Sequence, residues 1–151
     1  MRLTTNILIV LSVFVVCACE SHESRIEKKY LKESLSQLNF ENSYKWIVII
    51  PGAGCHGCIQ EGEYFMQKNV GNKDVLFILT NLSSVKVLQH KISIKIKECS
   101  NVYVDREGIF NVPTKNAIYP CVIYLKNSAI DRIEFQSPGN SALKRLKKNF
   151  N

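Results

Sequence analysis

The sequence predicts an α/β domain, a central mixed β-sheet flanked by helices, and three observations carry that prediction. β-prone apolar runs at Trp46 to Ile50, Val75 to Leu79 and Ile118 to Leu125 alternate with segments whose apolar residues recur at helical spacing. The first two runs are continuous rather than alternating, the pattern of strands covered on both faces. The third is followed by the turn signal Lys126-Asn127-Ser128 and a returning run from Ala129 to Phe135, which makes it the first arm of an antiparallel hairpin. With 151 residues, 46% hydrophobic and 22% charged, the chain has room for one domain with a real core.

The N-terminus reads as an export signal rather than as part of that core. Met1-Arg2-Leu3 carries one positive charge, Ile7 to Val16 is apolar apart from Ser12, and Val16-Cys17-Ala18-Cys19 follows. The apolar stretch is shorter than the about 20 residues a membrane span needs. Small residues before Cys19 resemble a bacterial lipobox, in which cleavage precedes the cysteine and the cysteine is lipidated; Cys17 stands where Ala or Ser is usual. Residues 1–18 are therefore expected to be a lipoprotein signal peptide, and residues 19–43 a lipid anchor on Cys19 with a linker. An ordinary cleaved secretory signal is the alternative, and either places the mature chain outside the cytoplasm. The implied location is the bacterial cell envelope, on the periplasmic side or the outer surface. Within the linker, Ile26, Tyr30, Leu31, Leu35 and Leu38 form a stripe, and Ser24 with Glu27 makes a capping box. These predict an amphipathic helix over residues 24–38 that packs on the domain.

Residues 44–50 begin the domain as a strand and residues 55–69 follow as a helix. Ile59, Phe65, Met66 and Val70 supply the helix's apolar contacts, and Gly62 predicts a bend in it. After the second strand at 75–79, Val85, Leu88 and Ile92 recur at helical spacing, while Ile92 to Ile96 alternates as if a strand took over. Val102 to Val104 is a further strand, stopped by Asp105-Arg106-Glu107-Gly108. Ser141 is placed to cap a last helix with Leu143 and Leu146 on its inner face.

The chemistry is concentrated where the first strand gives way to the second predicted helix. Pro51-Gly52-Ala53-Gly54 ends the strand and Cys55-His56-Gly57-Cys58 opens the helix. The first N–H groups of a helix lack partners and its dipole is positive there, so a sulfur at that end ionises more readily. Thiolate is the attacking species in disulfide exchange, which marks Cys55 as the nucleophile. Cys58, one turn further on, is placed to close a disulfide and release a mixed-disulfide intermediate. His56 is either an exposed member of the dipeptide or an electrostatic tuner of the sulfurs. Glu61 is either a proton shuttle for Cys58 or an exposed helix glutamate.

This order of parts, with Tyr119-Pro120 directly before the hairpin, resembles the thioredoxin fold over residues 44–151. Cys58-Ile59-Gln60-Glu61 also looks like the Cys-x-x-Cys-x-x-Glu of the membrane-anchored, extracytoplasmic TlpA-like group. The resemblance implies catalytic Cys55 and Cys58, with His56, Gly57, Glu61, Tyr119 and Pro120 in support. It implies a cis peptide before Pro120, beside the cysteines, presenting the backbone of Tyr119 to an extended substrate chain. It implies thiol–disulfide exchange without a cofactor, in the reducing direction, with a protein disulfide as substrate and a separate redox partner. The chain departs from the pattern at Gly54, where a Trp usually precedes the first cysteine, at Gly57, where Pro or His is common, and at Ile49, where thioredoxins bury an acid. Those departures keep a rival open: an envelope adaptor in which Cys55–Cys58 is a structural clip.

Other chemistries fit less well. The formal charge of +7 arises from lysines spread along the chain and densest from Lys144 to Lys148, unaccompanied by the aromatic or glycine-rich pattern of a nucleic-acid module. A solvated helix face is the simple reading, with contact to anionic headgroups as the alternative. Zinc needs four ligands, and neither Cys99 nor Cys121 has a neighbouring Cys or His at ligand spacing. Cys121 is expected as a packed thiol, or else in a disulfide with Cys99.

Overall fold

The apolar runs become strands because both of their faces find a partner layer. In the structure, a computed structural model that describes residues 21–38 and 44–150, β1 (Trp46–Pro51), β2 (Val75–Thr80), β3 (Val102–Asp105), β4 (Cys121–Lys126) and β5 (Ala129–Phe135) form one five-stranded sheet. The order is β3-β2-β1-β4-β5. β1, β2 and β3 run parallel, and β4 pairs antiparallel with both β1 and β5. The protein is thus α/β, with a mixed sheet flanked by helices. The predicted export signal and Cys19 lie outside the described residues. Among the described residues no helix is long and apolar enough to cross a membrane.

Alternate residues of each strand go to opposite layers. Val48 and Ile50 of β1 join Phe77 and Leu79 of β2 under α2 (His56–Asn69), α3 (Val85–Ile92) and α4 (Ala142–Lys147). Ile47, Ile49, Leu76 and Ile78 face the other way, where Phe110, Val112 and α1 (His22–Ser36) cover them. Leu31 of α1 is fully buried there, a contribution of about 1.5–3 kcal/mol. The stripe of α1 therefore packs on the sheet as expected, and the helix is one of the layers of the fold.

Several local expectations are corrected. The N-cap of α1 is Ser21, whose hydroxyl accepts from the N–H of Ser24 at 3.1 Å. Ser24 lies inside the helix, and Glu27 does not reach back to a cap but is buried. No strand forms over 92–96: Ser93, with φ 54°, ends α3 in the left-handed region, and Ile96–Glu98 is a 3-10 turn that returns Ile96 to the same core as Ile92. Gly62 marks a close approach within a continuous α2, since a Cβ there would lie 3.1 Å from the Pro120 ring. Ser141 makes no side-chain cap; Gln136 Oε1 accepts from the N–H of Leu143 at 3.1 Å instead. The hairpin turns through Asn127 and Ser128, both with positive φ (51° and 62°), the conformation whose twist matches the flanking strands.

Asp105, which sequence reading places in a mere turn, is the hub that joins β3 to the loop after it. It is buried, accepts from Thr80 Oγ1 at 2.7 Å, and accepts from the N–H groups of Gly108, Ile109 and Phe110 at 2.9, 3.1 and 2.9 Å. These bonds set Phe110 into the second layer. Asp105→Ala leaves those donors without an acceptor and is expected to cost at least about 3 kcal/mol in urea unfolding, against about 1 kcal/mol for Thr80→Ala, which removes one of them. Equal losses for the two variants would remove Asp105 from this role.

Candidate functional site

β1 ends at Pro51, and the turn from Gly52 to Gly54 swings the chain into α2 with Cys55 as its N-cap residue. Two glycines make the turn possible. A Cβ on Gly52 would sit 2.4 Å from the Asn81 carbonyl oxygen, and one on Gly54, where φ is +139°, would sit 2.4 Å from that of Ile118. At position 54 a side chain has neither space nor an accessible backbone conformation. The close approach lets the N–H of Cys55 donate to the Ile118 carbonyl at 3.0 Å. The N-terminus of α2 is thereby fastened to the loop that leads into β4.

Cys55 and Cys58 form a disulfide, with Cα atoms 5.4 Å apart. The two sulfurs differ in environment. Cys55 is half-buried at the N-cap, whereas Cys58, inside the first turn, is only 5% exposed. His56 and Gly57 between them are exposed, and a Cβ on Gly57 would meet nothing within 4 Å. Gly57 is therefore not required by packing. Glu61 is exposed and its carboxylate accepts from Gln136 Nε2, so it is oriented toward the β5–α4 connection.

Pro120 is buried against Gly62 of α2, its carbonyl accepts from the N–H of Gln136 at 2.8 Å, and Cys121 beside it pairs with Ile49 across the sheet. Pro120 thus packs on the cysteine-bearing helix at Gly62, one turn beyond Cys58. The expected cis peptide is not there: every described peptide bond is trans. The 3-10 turn Lys115–Ile118 has already redirected the chain, and Tyr119 (φ −112°, ψ 145°) is extended, the conformation a following proline imposes sterically. Tyr119 also donates its N–H to the Asn116 carbonyl at 3.0 Å. Ile118 is 44% exposed and adds an apolar surface directly beside Gly54.

A buried acid lies on α1. Glu27, 4% exposed, accepts from Thr114 Oγ1 at 2.6 Å and Asn116 Nδ2 at 2.8 Å. It holds the loop whose next residues are Ile118 and Tyr119, and Lys115 of the same loop pairs with Glu23 one turn earlier at 3.3 Å. The sequence did hold a signal. Glu27, Leu31 and Ser34 are all buried on one helix face, so a polar residue at an inward position was waiting for a partner. On the same helix as the cysteines, Glu63 forms an ion pair with Lys91 and ties α2 to α3.

Cys99 and Cys121 are separate thiols. Cys99 precedes β3, which lies three strand positions from β4, roughly 14 Å at ordinary strand spacing and well beyond disulfide reach. Burial pushes the Cys121 thiol well above its usual range, and the charge of Glu27 adds to the effect. Cys121 is thereby kept protonated. Among the described residues no three His, Cys, Asp or Glu side chains converge as a metal site.

A thiol whose folded pKa is raised stabilises the fold fully below its unfolded value, about 8.5, and loses that contribution as pH rises above it. Burial also raises Tyr124, with the charge of Glu134 adding and Arg132 opposing, and this extends the trend above about pH 10. In a Cys99→Ser background, unfolding free energy is expected to fall between about pH 8.5 and 10 by up to about 1.4 kcal/mol per pH unit. Cys121→Ala should flatten the pH 8.5–10 part of that limb while lowering stability at pH 7 by about 1–2 kcal/mol; an unchanged limb would show that Cys121 ionises freely. Comparison with known proteins returned no relative: no protein-family model, no curated protein and no solved structure matches this chain.

Proposed function

We propose that the protein is a thioredoxin-like thiol–disulfide oxidoreductase, working as a reductase outside the cytoplasm while held to a membrane through lipid on Cys19. The observation that carries the chemistry is the asymmetry of the closed Cys55–Cys58 pair: a half-exposed sulfur at the N-cap of α2 backed by a buried one in the first turn. The order of strands and the seat of Pro120 against α2 support the thioredoxin-like reading.

In the reduced protein, Cys55 is the thiolate, favoured by the unpartnered N–H groups of the first helical turn. It attacks one sulfur of a target disulfide; a Cys55–target S–S bond forms, the target S–S bond breaks, and the departing sulfur takes up a proton. Cys58 then loses its proton and attacks Cys55 Sγ, which reforms the intramolecular disulfide and releases the second target sulfur as a thiol. Two electrons pass from the protein dithiol to the target, and a separate dithiol donor must reduce Cys55–Cys58 for the next cycle. Ile118, exposed beside Gly54 and joined through its carbonyl to the N–H of Cys55, offers an unfolded chain an apolar contact next to the half-buried sulfur. Burial of Cys58 keeps it from competing for the target and reserves it for resolution.

Cys58→Ala is expected to accumulate a covalent adduct on Cys55 with a disulfide-containing substrate such as insulin, released by dithiothreitol, while Cys55→Ala forms none. The wild-type pair should equilibrate with glutathione or dithiothreitol buffers at a potential above about −300 mV. No adduct together with a far lower potential would instead make Cys55–Cys58 a structural clip in an adaptor protein. For the anchor, labelled fatty acid should be incorporated by the wild-type chain expressed in a bacterium and be absent from Cys19→Ser; equal labelling of both would place the lipid elsewhere.

A further inference from the structure

One face of α2 continues past the cysteines as a groove that the exchange chemistry does not use. Tyr64, Phe65 and Lys68 follow Glu61 at helical spacing and face Leu143, Lys144 and Lys147 of α4 across a recess of about 350 Å³, within the size range of binding pockets. Phe65 and Leu143 form an apolar floor, 7% and 5% exposed, while Tyr64 stands at the rim with 62% of its surface in water. The cations around it are uncommitted. Arg145 of α4 is held by Glu134 at 2.6 Å, but Lys68, Lys144 and Lys147 pair with no carboxylate among the described residues, and the ammonium of Lys68 lies 5.4 Å from the Tyr64 ring centroid. The one acid lining the groove, Glu61, is engaged by Gln136.

We infer that this groove docks an extended segment of a partner protein in which carboxylates flank one large apolar side chain. Positive charge on the rim and an apolar floor select those two features together: the carboxylates meet the three lysines, and the apolar side chain covers Phe65 and Leu143. A bilayer surface is a poorer fit. It cannot enter a recess whose floor is almost fully shielded, and α1, which leads back toward Cys19, covers the opposite face of the sheet. Because the groove starts at Glu61, one turn beyond Cys58, a segment seated in it would hold the rest of the partner over the disulfide. That the partner is a redox partner rests on the function proposed above; the docking does not.

The two are separated by measuring binding in Cys55→Ser/Cys58→Ser protein, which cannot exchange. A fluorescein-labelled dodecapeptide of Asp and Glu with a central Phe is expected to bind it as it binds wild type, and to weaken at least tenfold when its acids become Asn and Gln or its Phe becomes Ala. Lys144→Glu/Lys147→Glu should weaken binding at least tenfold. Lys86→Glu/Lys97→Glu, the same change of net charge at exposed sites on other elements, should leave it within twofold. Equal effects of the two lysine pairs, or insensitivity to the Phe, would overturn the inference. So would loss of cosedimentation with phosphatidylglycerol vesicles in Lys144→Glu/Lys147→Glu without any change in peptide binding. Amide shifts on peptide addition should centre on Tyr64 to Lys68 and Leu143 to Lys147; shifts centred elsewhere overturn it as well.

Discussion

The contact on which the site depends is the approach of the Gly54–Cys55 backbone to Ile118. It joins two segments far apart in sequence, the turn after β1 and the loop before β4, through a single main-chain hydrogen bond. It is available only because position 54 lacks a side chain. The disulfide and the exposed Ile118 are brought together by that contact. A second close approach one turn along α2, where Gly62 admits the ring of Pro120, fixes the helix against the start of β4. Two glycines of little note in the sequence thus set the distance between the helix that carries the sulfurs and the loop that leads into β4.

Support for this arrangement comes from the far side of the sheet. Glu27 and Glu23 of α1 grip Thr114, Lys115 and Asn116, so the loop bearing Ile118 is held from beneath by the N-terminal helix and from above by Cys55. Burying a carboxylate is unfavourable unless its lone pairs are occupied, and the two donors from the loop meet that need for Glu27. The same carboxylate acts on Cys121 from across the layer and helps to keep that thiol neutral. One acid therefore serves both to position a loop and to silence a cysteine.

The parts of this architecture that depend on periodicity were legible in the sequence. The continuous runs at 46–50 and 75–79 are strands buried on both faces, the stripe through Leu31 does face the sheet, and Cys55 does open a helix. What was not legible depends on neighbours distant in sequence. Gly62 reads as a weak point in a helix until Pro120 is seen beside it, and Glu27 reads as a capping partner until Thr114 and Asn116 arrive from almost 90 positions away. Asp105 looks like any turn aspartate, because nothing local indicates that Thr80 on the adjacent strand will donate to it. The strand expected at 92–96 failed because alternation over five residues is too short to outweigh a left-handed Ser93. The bond before Pro120 is trans, the ordinary state of an X–Pro bond, and the 3-10 turn preceding it is marked by no sequence pattern.

That α1, together with Phe110 and Val112, covers one side of the sheet bears on how this molecule can be dissected. A fragment begun at the first strand would keep the cysteines, the helix that carries them and the hairpin, yet would strip Leu31 and its stripe from the layer over Ile47, Ile49, Leu76 and Ile78, leaving part of that layer as an apolar surface open to water. Such a contiguous oily surface invites self-association. The smallest unit that can be expected to stay dispersed therefore begins at Ser21, and the stretch that looks like a spacer is the lid of the core.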